Sequence, residues 1–255
     1  MLTKQLLEQI APNSDDKIIA DLEKYFNQHM AEYKVNTYLR VCHFIAQCAH
    51  ESASFRTLEE FASGSAYEGR RDLGNTQPGD GRRYKGRGII QLTGRANYRT
   101  FGRSIGVDLE NNPELAKMPE VSVLTALEYW KSRDLNTFAD RDDITTITRR
   151  INGGLNGFDD RKKYLERAKR VLKGIDFSKS SKKSDILNIV VAKRGDRSDY
   201  IRDLQLMLIK KGYIRIAADG DFGPQTEASV RDFQKANALE VTGQIDTNTL
   251  NKLMV

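Results

Sequence analysis

The sequence predicts an all-α protein built as two helical domains, and three observations carry that reading. Apolar residues recur at helical spacing through most of the first 172 positions. A polar stretch, Phe177-Ser-Lys-Ser-Ser-Lys-Lys-Ser184, then breaks the pattern as a linker does. Beyond it the chain repeats itself: Gly220-x-Phe222-x-x-x-Thr226-x-x-x-Val230 recurs as Gly243-x-Ile245-x-x-x-Thr249-x-x-x-Leu253, each a turn feeding a helix. The expected domains are 1–176 and 188–255, joined by a linker over 177–187.

Leu2, Leu6, Leu7 and Ile10 line a first helix, and Ile18, Ile19, Leu22, Tyr25 and Phe26 a second. Pro12-Asn13-Ser14 separates them, with Ser14 or Asp15 as N-cap. A third helix opens near Asn36 or Thr37. Its core-facing stripe is Val41, Phe44, Cys48 and Phe55, and Glu51 falls on that stripe. An ionised carboxylate among apolar groups is costly; the group tends to neutralise instead, which would make Glu51 a proton donor. Glu60 follows nine residues later, on the opposite side of a continuous helix. The two carboxylates can face each other only if the helix ends soon after Glu51, an ending that Ser52-Ala53-Ser54 permits. Local sequence leaves two plainer readings open: Glu51 as an ordinary helix-end carboxylate, and Glu60, beside Glu59, as a solvated surface charge.

From Ser63 to Gly88 periodicity disappears, and a loop this long inside a compact domain is usually functional or disordered. Ile89-Ile90-Gln91-Leu92-Thr93 follows; in extended form it puts Gln91 and Thr93 on one face. A phosphate loop fails here, because Gln91 takes the third glycine position of G-x-G-x-x-G and no G-K-[ST] follows. Helices resume from Asn97 to Ile105 and from Pro119 through Trp130. After Ile144-Thr-Thr-Ile-Thr, the run Ile151-Asn-Gly-Gly-Leu-Asn-Gly157 is a turn-rich break before a charged helix over Asp159 to Leu172. Arg161 lies in that helix's first turn, where cations are disfavoured, so it either has a specific anionic partner or is solvated. In the repeat, Pro224 suits a first helical position and Asp246 a cap. Ile201, Leu204, Leu208, Phe233 and Leu239 form the expected core of a three-helix module that has no catalytic set and should therefore bind something.

At 255 residues and 39% hydrophobic content, with a mean hydropathy of -0.58, the chain has no apolar run of spanning length, and Glu8 interrupts any signal-peptide core. Cys42 and Cys48 point in different directions on one helix, which fits reduced core thiols and a reducing compartment of synthesis. His50-Glu51-Ser52-Ala53-Ser54 lacks the second histidine of H-E-x-x-H, so no metal or other cofactor is expected. The net charge of +6 is spread along the chain, apart from a local cluster of Arg82, Arg83, Lys85, Arg87, Arg95, Arg99 and Arg103. Such a cluster attracts nucleic acid or a polyanionic cell envelope equally well.

Several separated motifs, in order, carry a resemblance. A-H-E-S with Glu60 nine residues after its glutamate, then Y-K-G-R-G-I-I-Q-L-T-G-R-A-N-Y, then I-N-G-G with a downstream arginine, resembles glycoside hydrolase family 19 over most of 36–172. That family holds plant-type chitinases and many bacteriophage endolysins, and L-G-N-T-Q-P-G-D-G-R-R-Y-K-G-R-G leans to the endolysins. Asp219 to Gln234 is similar to the peptidoglycan-binding pattern D-G-x-F-G-P-x-T-x-x-x-V-x-x-F-Q. The resemblance implies a lysozyme-like helical catalytic domain plus a small peptidoglycan-binding module. It makes Glu51 the general acid and Glu60 the general base, with Thr93 holding the attacking water. His50, Tyr84, Gln91, Asn97, Tyr98 and Asn152 would line the saccharide cleft, and Arg161 would pair with the acid network. Chitinases commonly carry a glutamate where this chain has Asn156. The family is similar to inverting glycosidases, whose carboxyl pairs stand about 6.5 to 9.5 Å apart.

The function expected is that of a modular endolysin cleaving β-1,4 bonds of peptidoglycan. It would act as a monomer on murein strands, made in the host bacterial cytoplasm until release, without nucleic acid or stable membrane insertion. A chitinase is the alternative, and a non-catalytic wall-binding protein would require that Glu51 and Glu60 not share a cleft.

Overall fold

The computed structural model describes residues 1–178, 190–197 and 199–254. The chain divides into two compact units, Met1–Ser184 and Asp185–Val255. From residue 179 on, the expected linker lies outside the described residues. Phe177, which composition assigns to it, is buried against the helical core, so the first unit extends beyond residue 176.

In the first unit each early helix starts where a short polar side chain can accept from its first-turn N–H groups. Thr3 caps α1 (Lys4–Ile10), Asp15 caps α2 (Asp16–His29) and Thr37 caps α3 (Tyr38–Glu51). A turn of 3₁₀ helix at Ser65–Tyr67, another at Arg71–Leu73 and the four-residue α4 (Asp80–Arg83) occupy the long glycine-rich stretch. Then come α5 (Arg95–Ile105), α6 (Pro119–Ser132), α7 (Leu135–Asp140), α8 (Ile144–Asn152) and α9 (Phe158–Val171). The apolar spacing left α7 unmarked. α3 packs along α9, and α2 along α6. Nine consecutive residues of α3, Val41 to Ala49, are buried, so α3 is the central helix and not a surface helix with one wet face. Phe26 and Trp130 both meet the Phe44 ring edge-on, at 5.9 and 5.4 Å between centroids.

Phe55 is buried, but it does not extend the α3 stripe. The helix stops at Glu51, and Ala53, Ser54 and Phe55 take left-handed backbone angles of +51°, +71° and +56°. Such angles cost about 1 kcal/mol or more per non-glycine residue. Offsetting contacts are local: Ser52 Oγ donates to the Cys48 carbonyl and accepts from Phe55 N–H, and the Phe55 carbonyl accepts from Asp15 N–H. The chain thereby folds back after Glu51, as Ser52-Ala53-Ser54 permits.

The second unit carries α10 (Asp199–Lys210), α11 (Pro224–Ala236) and α12 (Thr247–Met254). Two short antiparallel strands, β1 (Val190–Ala192) and β2 (Ile245–Asp246), depart from a purely helical module. Ile201, Leu204, Leu208 and Phe233 are buried, whereas Leu239 is half-buried. The internal repeat has a physical core in two buried glutamines. Gln205 accepts from Gly220 N–H and donates to Thr226 Oγ1, while Gln234 accepts from Gly243 N–H and donates to Thr249 Oγ1.

Candidate active site

The end of α3 meets the start of α9. Glu51, the last residue of α3, is not enclosed by apolar groups as its stripe position suggests: its side chain is 20% exposed, and its Oε1 accepts from Arg161 Nη2 at 2.5 Å. The buried charge is Arg161, which is fully enclosed. Its guanidinium also donates to Gln47 Oε1 at 2.5 Å and to the Asn156 carbonyl at 3.4 Å. Arg161 therefore has the anionic partner that its first-turn position called for, and Asp159 and Asp160 in the same turn offset its unfavourable placement. Being enclosed, it holds Glu51 and does not line a cleft. Asn156 contributes its carbonyl here, and its side chain reaches Asn152 at 3.4 Å.

His50 lies beside this pair. Its Nδ1 is 2.7 Å from Asp160 Oδ2, and its ring covers Gly157, whose φ of +70° and lack of a Cβ are both needed; a Cβ there would lie 2.3 Å from His50 Cε1. Tyr129 donates to the Ile151 carbonyl at 2.9 Å, fixing the segment before exposed Asn152. Burial, and then the Glu51 carboxylate, push the Tyr129 phenol up.

Glu60 sits in a second cluster. Its N–H donates to the Gly86 carbonyl at 2.9 Å, and its carboxylate lies so close to Gly86 that a Cβ there would be 3.4 Å from Oε2 and 2.8 Å from Gln91 Oε1. Tyr67 donates to Glu60 Oε2 at 3.0 Å, whereas Oε1 is enclosed without a protein partner. Glu59 is not a plain surface charge: Lys85 and Arg87 pair with it at 3.2 Å and Lys117 at 3.8 Å. Residues 87–92 form a tight reversal, Arg87 and Leu92 exchanging backbone hydrogen bonds and Gln91 at a φ of +52°, so Gln91 and Thr93 are not neighbours on one strand face. Thr93 Oγ1 instead donates to the Gln91 carbonyl at 2.9 Å, and Asn97 Nδ2 to the Thr93 carbonyl at 2.8 Å.

Two expected cleft residues are packed inward. Tyr98 is fully buried, its hydroxyl donating to the Lys85 carbonyl, and Tyr84 is 1% exposed with its hydroxyl on the Glu110 carbonyl. Their polar ends satisfy backbone carbonyls, so both build the wall behind the loop. The basic cluster is likewise largely neutralised: Lys85 and Arg87 pair with Glu59, Arg95 with Asp80, and Arg99 with Glu110. Tyr67 is the residue the sequence did not mark. It lies inside the aperiodic loop, and only the fold brings it to Glu60. Among the described residues no group of three or more His, Cys, Asp or Glu is placed to hold a metal ion.

Residues 29–149 match the chitinase class I family model, and residues 197–253 match a peptidoglycan binding domain. A glycosyl hydrolase family 19 domain-containing protein of Haemophilus influenzae is 34% identical over 149 residues, spanning 46% of this chain and 72% of that one. The chain belongs to glycoside hydrolase family 19. An endochitinase of Arabidopsis thaliana is 35% identical over 129 residues, covering 50% of the family 19 chain but 44% of its own length. Chitinase C from Streptomyces griseus superposes with a TM-score of 0.52 at 22% identity, over 67% of this chain and 91% of that one. A chitinase C mutant reaches 0.57 at 21% identity, over 72% and 96%. The shared fold is lysozyme-like and mainly helical.

Proposed function

We propose that the chain is a modular endolysin whose first unit hydrolyses β-1,4 glycosidic bonds of bacterial peptidoglycan and whose second unit holds it on that polymer. The observation that carries this reading is the presence of a family 19 glycosidase and a peptidoglycan-binding domain on one chain. Glu51, held by Arg161, protonates the leaving glycosidic oxygen. Glu60 takes a proton from a water that Thr93 holds, as that water attacks the anomeric carbon from the opposite face. One C–O bond breaks as the other forms, with inversion and no glycosyl-enzyme intermediate. His50, Gln91, Asn97 and Asn152, all with accessible surface, contact the saccharide. The enzyme is made in the host cytoplasm and works as a monomer on the wall after release.

The chitinase reading draws on the endochitinases among its relatives, since N-acetylglucosamine polymers present the same bond. Incubation with purified murein and with chitin oligomers separates the two. Soluble muropeptides from murein, with little turnover of chitin oligomers, support the endolysin; the reverse supports a chitinase. Mass spectrometry of the new reducing end then identifies the murein bond.

A further inference from the structure

The loop from Ser63 to Gly88 has no part in the mechanism above, yet one of its side chains touches the candidate base. Glu60 Oε2 accepts from the Tyr67 hydroxyl at 3.0 Å. Among the described residues no lysine or arginine forms an ion pair with Glu60, because Lys85, Arg87 and Lys117 all turn to Glu59. The phenol is thus the donor that sets the rotation of the Glu60 carboxylate. Oε1 is enclosed without a protein partner, while Oε2, which already accepts from Tyr67, keeps a second lone pair.

The loop holds Tyr67 firmly. Its N–H donates to the Gly64 carbonyl at 3.0 Å and its carbonyl accepts from Asn75 Nδ2 at 2.9 Å. Gly64 has a φ of +78° and abuts α4 so closely that a Cβ would lie 2.5 Å from the Gly81 carbonyl oxygen. The next residue, Glu68, accepts from Gly79 and Gly81 N–H at 2.7 and 2.8 Å. Burial, with the Glu60 carboxylate adding to it, pushes the Tyr67 phenol up, so the hydroxyl stays a donor through neutral pH.

We propose that Tyr67 is a positioning residue for hydrolysis, fixing the Glu60 carboxylate so that Oε2 is presented to the attacking water. The proposal rests on Glu60 being the general base. It also gives the aperiodic loop a purpose, as the scaffold that delivers one hydroxyl to one carboxylate.

The test is Tyr67→Phe in the full chain, alone and combined with Glu60→Gln, assayed on soluble glycan fragments alongside melting temperature. The expected result is a fall in kcat of about ten- to hundredfold with KM within about twofold of wild type. In the Glu60→Gln background the second substitution should cost nothing further, because the group it orients is gone. Unchanged kcat in Tyr67→Phe, a rise in KM that accounts for the loss, or full additivity in the double variant would each overturn the proposal. Near wild-type turnover in Glu60→Gln alone would instead overturn the base assignment.

Discussion

Arg161 changes what Glu51 requires of its surroundings. The guanidinium is enclosed and has one carboxylate partner in its cluster, with Gln47 and the Asn156 carbonyl as neutral acceptors. Glu51→Gln therefore removes the proton donor proposed for hydrolysis and also leaves a buried cation without its counter-charge. Turnover should fall about 10²- to 10⁴-fold, and the melting temperature should fall as well, since breaking such a pair costs several kcal/mol. Assayed well below melting, a folded Glu51→Gln protein with wild-type turnover would remove Glu51 from the mechanism. The adjacent pair at 59 and 60 divides differently. Glu60→Gln should be nearly as damaging to turnover as Glu51→Gln, leaving a residual rate about 10²- to 10⁴-fold down, with little effect on melting. Glu59→Gln loosens Lys85 and Arg87, so about 1 kcal/mol and a drop of about 2 to 4 °C are expected, with turnover at 25 °C much less affected. The opposite ranking in turnover would show that the wrong carboxylate has been chosen. The Glu51–Arg161 pair was half legible in sequence, because a cation in a first helical turn is an anomaly that asks for a partner. Tyr67 was not legible, because no periodicity in residues 63 to 88 relates a side chain to Glu60, and the contact exists only once Gly64 and Asn75 have fixed the loop.

Among the elements, α3 carries the strongest ties to its neighbours, and one of them titrates. His43 is fully buried, with Nε2 2.8 Å from Asp142 Oδ1 in the turn between α7 and α8, and Lys169 of α9 pairs with the other oxygen of Asp142. Burial pushes the imidazole below its usual 6.5, and Asp142 only partly opposes this. Because the folded pKa is the lower one, the unfolded chain takes up a proton near pH 6.5 that the native chain refuses. Stability should thus decline as pH falls below about 6.5 until the native imidazole also protonates, by at most about 1.4 kcal/mol per pH unit for one proton. Melting curves of wild type and His43→Gln between pH 7.5 and 5 test this. The variant should be less stable at neutral pH but flatter across the range, and equal slopes would exclude His43 as the source. Helices of this kind were readable from caps and spacing, as Asp15 and Thr37 show. The short pieces were not: β2 has two residues and β1 three, too few to display a period of two, and α7 is a six-residue link. The expected strand face of Gln91 and Thr93 failed for a related reason, since Gln91 sits in a left-handed turn that alternation alone does not reveal.

At the scale of the whole molecule, each unit has its own buried core. Phe26, Phe44, Phe55 and Trp130 centre the first, and Leu204, Leu208, Phe222, Val230 and Phe233 the second. The division was legible because the Ser/Lys-rich stretch interrupts apolar spacing and because the turn-plus-helix repeat after it has its own period, anchored by Gln205 and Gln234. Phe177 blurred the edge, since one apolar residue in a polar run is invisible to composition yet packs inward. A self-sufficient second unit should act by tethering, raising the local concentration of the glycosidase on an insoluble polymer without changing its chemistry. Deleting residues 185–255 is then expected to weaken co-sedimentation with murein sacculi and to slow lysis of whole walls, while cleavage of short soluble glycan fragments stays within about twofold of the full chain. Soluble fragments do not profit from a tether, because each encounter is independent of the last. If truncation instead reduces turnover of soluble fragments as severely as lysis of sacculi, the second unit supports the catalytic unit directly, and tethering is not its role.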